Sequence, residues 1–140
     1  MKRFITISSV VTKARQLVAA NEGFKNIDFV VGMSRGGLIP AALIATEINK
    51  PLVAIYINKK DEIFFDRGGW IDGRNILFVD DVCRTGSTLE LAIKCLKKCS
   101  AAKITTLTLF DVLSINKTTS PDIAHRVSED VTLPWDHDRD

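Results

Sequence analysis

The chain has 140 residues, close to the ~150 of one average domain, so it holds one moderate core and no second unit. Apolar residues make up 46% and charged residues 26%, which excludes wholesale disorder. Nineteen basic against seventeen acidic side chains, with no basic run longer than a pair such as Lys59-Lys60, argue against nucleic acid as a partner. No apolar stretch approaches the ~20 residues that cross a bilayer, so no membrane partner is expected. The opening Met1–Thr6 has charge but no signal-peptide core, and a cytoplasmic chain is expected.

Ser8 or Ser9 can cap a first helix, with Val10, Val11, Ala14, Leu17 and Val18 at helical spacing and Asn21-Glu22-Gly23 ending it. Ile27–Met33 is a short apolar run rich in β-branched residues, read as a strand. Gly36-Gly37 leads into a second helix carrying Leu38, Ala41, Ala42, Ile44, Ala45 and Ile48, with Pro40 tolerable in its first turn. Leu52–Ile57 and Ile76–Val79 read as strands, Thr88–Cys99 as a helix, and Ile104–Phe110 as a strand. From Asp111 the chain is polar and turn-rich, with one short strand around Ile123–Val127. Strands alternating with helices over short connections predict a single doubly wound α/β domain, 1–140, with a mainly parallel sheet covered on both faces. In that architecture ligands sit beyond the carboxyl ends of the strands, here after Met33, Ile57 and Val79.

The strand Ile76–Val79 runs into Asp80-Asp81-Val82-Cys83-Arg84-Thr85-Gly86-Ser87-Thr88. Two adjacent buried carboxylates would be costly unpaired, so they should project from the sheet edge, where the strand gives way to a loop. The stretch 84–88 then supplies hydroxyls, a permissive glycine and amide donors at a helix start, the chemistry a phosphate monoester needs. A diol or metal at one end and a phosphate at the other describes a ribose 5-phosphate. Alternatively, the aspartates begin a turn and Thr88 caps a helix.

Residues 76–88 resemble the phosphoribosyl-pyrophosphate (PRPP) signature of the type I phosphoribosyltransferases: four apolar residues, two acids, an apolar residue, two variable positions, then Thr-Gly-x-Thr/Ser. The resemblance implies that family's fold, with Asp80 and Asp81 handling the ribose hydroxyls, Asp81 meeting Mg2+, and the stretch from Cys83 through Arg84, Thr85, Gly86 and Ser87 to Thr88 lying against PRPP. Gly32–Pro40 resembles the pyrophosphate loop, with Ser34, Arg35, Gly36 and Gly37 as binding residues, Arg35 catalytic, and Ser34-Arg35 the position of a non-proline cis peptide. Read alone, the glycine pair is also explained by a tight strand-to-helix turn.

Residues 58–75 form the longest connection, read as a mobile lid or as a hairpin with Ile63-Phe64-Phe65 packed inward and Gly68-Gly69 turning. The resemblance adds a basic residue at the pyrophosphate, with Lys59, Lys60 and Arg67 all open. Residues 111–140 become a C-terminal base-binding segment. Trp135, in Leu133-Pro134-Trp135-Asp136, is either a plug on the core or a flat surface for a nucleobase.

The xanthine-guanine branch of the family, whose substrates are 6-oxopurines, is the most similar, with about 120 positions laid alongside. Two departures stand out. Arg84 occupies the place of an aspartate that serves the purine N7, and could neutralise an acidic substituent on a base or help the 5-phosphate. The lysine that grips the exocyclic oxygen has Asp111 and Val112 in its place, with Lys117 the basic residue in reach. Cys95 and Cys99 read as reduced packing residues rather than a zinc site, His125 as a strand surface residue, and His137 as solvated. The expectation is a Mg2+-dependent transfer from PRPP to a nucleobase in purine salvage, by a dimer or tetramer. A sensor of PRPP or nucleotide without turnover is the alternative.

Overall fold

The structure is a computed structural model and describes residues 2–60, 62–65 and 70–136. The elements run β1 (Lys2–Phe4), α1 (Ile7–Ala19), a 3₁₀ turn (Gly23–Asn26), β2 (Phe29–Met33), α2 (Leu38–Ile48), β3 (Leu52–Ile57), β4 (Ile63–Phe65), β5 (Asn75–Cys83), α3 (Ser87–Lys98), β6 (Lys103–Val112), β7 (Ile123–Val127) and β8 (Asp130–Thr132). Six strands form one sheet in the order β4-β3-β2-β5-β6-β7, all parallel except the β3–β4 pair. β1 and β8 pair separately, in parallel. This is the mixed α/β, mainly parallel fold that the alternation of elements predicts.

Both faces of the central strands are covered. Along β5, Leu77 and Val79 pack with Val10, Ala14, Leu17, Ala41 and Ile44 of α1 and α2. Ile76 and Phe78 point the other way, into Leu89, Ala92 and Leu96 of α3. The period of two that separates these sets explains why β5 reads as an unbroken apolar run.

Local chemistry sets the helix ends. Thr6, rather than Ser8 or Ser9, caps α1, its Oγ1 accepting from the Ser9 amide at 3.1 Å, so the helix starts earlier than expected. α2 ends on Asn49 in the left-handed region (φ 56°). α3 carries Glu90 in its first turn and Lys97 and Lys98 in its last, matching the helix dipole.

Two differences from expectation bear on function. β5 does not stop at Val79 but continues through both aspartates to Cys83, because β6 stays paired with it as far as Asp111. β4 pairs with β3 in a hairpin that turns between Ile57 and Ile63, not at Gly68-Gly69 as expected, and strand alternation turns Phe64 outward beside Tyr56, while Ile63 and Phe65 pack inward. Lys59 and Lys60 are exposed in the turn that follows β3. Arg67, Gly68 and Gly69 lie outside the described residues, as does His137. Cys83, Cys95 and Cys99 are free thiols. His125 is half-buried, hydrogen-bonded through Nε2 to the Lys13 carbonyl at 3.0 Å. No helix among the described residues is long and apolar enough to cross a membrane.

Candidate active site

Because β5 carries on through Asp80 and Asp81, its alternation sends the two carboxylates to opposite faces of the sheet edge. Asp80 follows Ile76 and Phe78 toward α3; Asp81 follows Leu77 and Val79 toward α2. A cavity lies on each side. The smaller, about 210 Å³, is lined by Asp80, Val82–Leu89 and Thr108. The larger, about 480 Å³, is lined by Ser34, Arg35, Gly36, Ile39, Tyr56, Asp81, Trp135 and Asp136.

The smaller cavity is a backbone cup at the start of α3. Gly86 sits at φ +87°, and a Cβ there would run into the Thr119 carbonyl, so the tight turn needs glycine. Thr85 Oγ1 and Ser87 Oγ are 3.0 Å apart, and the Ser87 amide donates to Thr85 Oγ1 at 3.3 Å. Thr85, Ser87 and Thr88 are exposed at the mouth. Among the described residues, the amides of Arg84, Thr85 and Gly86 have no acceptor, which leaves three donors for an anion. Burial first, and then the charge of Asp81, push the Asp80 carboxyl well above the ordinary carboxylate value.

On the other side the Ser34–Arg35 peptide is cis, as expected. The Ser34 amide donates to the Ile55 carbonyl at 2.7 Å, and the loop passes close under β5. A Cβ on Gly37 would lie 2.8 Å from the carbonyl oxygens of Met33 and Val79, and one on Gly36 would strike the Asp81 carboxylate. The glycine pair therefore lets this loop touch the acid-bearing strand. Arg35 is exposed, with no ion partner among the described residues. Trp135 is half-buried against the α1–α2 core, so it is a plug and a cavity wall at once. Its indole Nε1 donates to Asp81 Oδ2 at 3.0 Å.

Three expected residues have different placements. Cys83 is buried, its thiol turned toward the Thr119 carbonyl at 3.8 Å; burial raises its pKa, so it is a packing group where the cup begins. Arg84 does not present its charge to a base: Nε donates to Asp130 Oδ1 at 2.9 Å and Nη2 to the Val131 carbonyl at 3.1 Å, tying β8 to the end of β5. In this structure Arg84 is placed as a tether rather than on the wall of the larger cavity. Lys117 is not free to grip an exocyclic oxygen either. Nζ donates to the carbonyls of Val112 (2.6 Å), Arg84 and Cys83, and lies 3.0 Å from Asp111 Oδ1. Sequence reasoning missed Asp130 and Asp111, since nothing local marks them as partners. It also missed Tyr56 and Ile39 on the larger cavity.

The phosphoribosyl transferase domain model matches residues 8–137, and the chain belongs to that family. Orotate phosphoribosyltransferase of Sulfurisphaera tokodaii is 34% identical over 98 residues, 66% of this chain and 49% of that protein. Xanthine-guanine phosphoribosyltransferase of Chromohalobacter salexigens is 46% identical over 66 residues, 42% of this chain and 40% of that protein. The chain thus spans half or less of the length of these curated relatives. The purine phosphoribosyltransferase structure from Pyrococcus horikoshii superposes with a TM-score of 0.82 at 26% identity, covering 97% of this chain and 95% of that one.

Proposed function

We propose that this protein transfers the 5-phosphoribosyl group of PRPP to a purine base and releases pyrophosphate. The observation that carries the reading is the division of the acid pair, one carboxylate to each of two cavities flanking the end of β5. In this reading the 5-phosphate enters the cup at residues 84–88 and the ribose lies over Asp80 and Asp81. The pyrophosphate lies against Ser34–Gly37 under Arg35. The base rests on Trp135. Likeness to the P. horikoshii purine enzyme over nearly its whole length favours a purine over orotate.

Departure of pyrophosphate leaves positive charge on the ribose ring and adds negative charge to the leaving group. Fixed charges and dipoles aimed at those positions do the work, with little covalent chemistry asked of the protein. Arg35 and the loop amides meet the leaving group, and Asp81 stands on the side of the cationic ring. Trp135 holds the base in line. The donor set suits magnesium only in part. No cluster of three or more His, Cys, Asp or Glu residues occurs among the described residues, so the ion would be held by Asp81 together with substrate oxygens, the usual manner for Mg2+. When bound, it would neutralise charge on the pyrophosphate.

The test is pyrophosphate release from PRPP and Mg2+ with guanine, xanthine, hypoxanthine, adenine and orotate in turn. Release with a purine supports the reading, and release with orotate alone would reassign the base. PRPP binding by calorimetry with no release on any base would make the protein a sensor.

A further inference from the structure

Lys117 lies on the segment between β6 and β7 and lines neither cavity, yet its side chain is only 12% exposed and sits behind the phosphate cup. It donates to the carbonyls of Cys83 and Arg84. Its neighbour Thr118 takes the next carbonyl, that of Thr85, with its amide at 2.8 Å and its Oγ1 at 3.3 Å. Three successive carbonyls of the cup are thus gripped from one side by two adjacent residues.

Across a planar trans peptide the C=O and the following N–H point in opposite directions. Holding the carbonyls of residues 83, 84 and 85 therefore turns the amides of residues 84, 85 and 86 the other way. None of these three amides has an acceptor among the described residues. Asp111, almost fully buried, balances the ammonium at 3.0 Å, and Arg126 Nε lies 3.7 Å from its second oxygen. The buried pair adds little net charge, so its effect on an anion comes from geometry.

We propose that Lys117, with Asp111 as its counter-ion, is a positioning residue that aims the amides of Arg84, Thr85 and Gly86 at the 5-phosphate of the substrate. This rests on the phosphoribosyl reading above. It also gives Lys117 a task different from gripping the base.

The experiment is calorimetry of the full chain with two probes, ribose 5-phosphate and magnesium pyrophosphate. It compares the parent with Lys117→Gln and with Lys117→Met/Asp111→Asn, which removes both buried charges together. Circular dichroism checks each fold. Ribose 5-phosphate should weaken at least about tenfold in the double variant and less in Lys117→Gln, as amide–phosphate bonds lose alignment. Pyrophosphate should stay within about threefold of the parent, because its loop does not touch Lys117. A folded double variant that binds ribose 5-phosphate like the parent overturns the proposal, as does equal loss of both probes. Unfolding of both variants makes Lys117 a purely structural strut and overturns it too. A parent that binds no ribose 5-phosphate overturns the phosphoribosyl reading itself, and this inference with it.

Discussion

The indole Nε1 of Trp135 donates to Oδ2 of Asp81 at 3.0 Å, joining the turn that follows β8 to an acid near the end of β5. One residue thereby serves two neighbours: its ring walls the larger cavity while its edge steadies a carboxylate. Trp135→Phe keeps a ring but removes the donor, and should cost about 1 kcal/mol in a urea melt with only a small rise in KM for the base. Trp135→Ala should raise that KM by roughly tenfold or more, as loss of a stacking surface does elsewhere. Equal KM values for the two variants would remove stacking from the account.

Asp80 should make the empty protein less stable as pH rises. Burial, reinforced by Asp81, holds its folded pKa well above the ordinary value, while the unfolded chain ionises it at about 4. Between those two values the folded state keeps a proton that the unfolded state has lost. Stability therefore falls through that window, and the full cost is present above it. Asp80→Asn should be more stable than the parent at pH 7.5, with the difference gone below about pH 4, while turnover drops on the order of a hundredfold. Urea melts at both pH values check the first part; a variant no more stable at pH 7.5 would contradict it.

Arg84 should prove a tether. Its ion pair with Asp130 is partly exposed, so Arg84→Met should cost no more than about 1 kcal/mol, mostly through the lost hold on the Val131 carbonyl. The order in which the purines are accepted should not change. A switch of preferred base in the release assay would return Arg84 to the base site.

Gly36→Ala should damage the site more than the fold. The added methyl would press on the Asp81 carboxylate and come within 3.2 Å of Trp135 Nε1. The expected outcome is a loss of activity on the order of a hundredfold, with melting lowered by a few degrees at most. Parent-like turnover would show that Asp81 can be displaced without consequence.

Much of this was legible in the sequence because it is local. The apolar run of β3, the start of α2 at Leu38 and the turn from strand to helix at 84–88 each declare themselves within a few residues. The end of β5 did not: its length depends on β6, paired residue by residue as far as Asp111. The expectation that Asp80 and Asp81 share one ligand-facing edge therefore gave way to one carboxylate on each side. β1 and β8 escaped notice because each is three residues long and exists only by pairing with the other. Arg84 and Lys117 looked like charges awaiting a ligand, since Asp130, Asp111 and the backbone carbonyls that occupy them are brought in by the fold alone.

In the proposed reaction PRPP spans the two cavities across the end of β5. A crystal of the protein soaked with PRPP and Mg2+ tests it most directly. The 5-phosphate should lie in the cup formed by residues 84–88, the ribose hydroxyls at Asp80 and Asp81, and the pyrophosphate against Ser34–Gly37. PRPP bound elsewhere, or both cavities empty at saturating ligand, would contradict it.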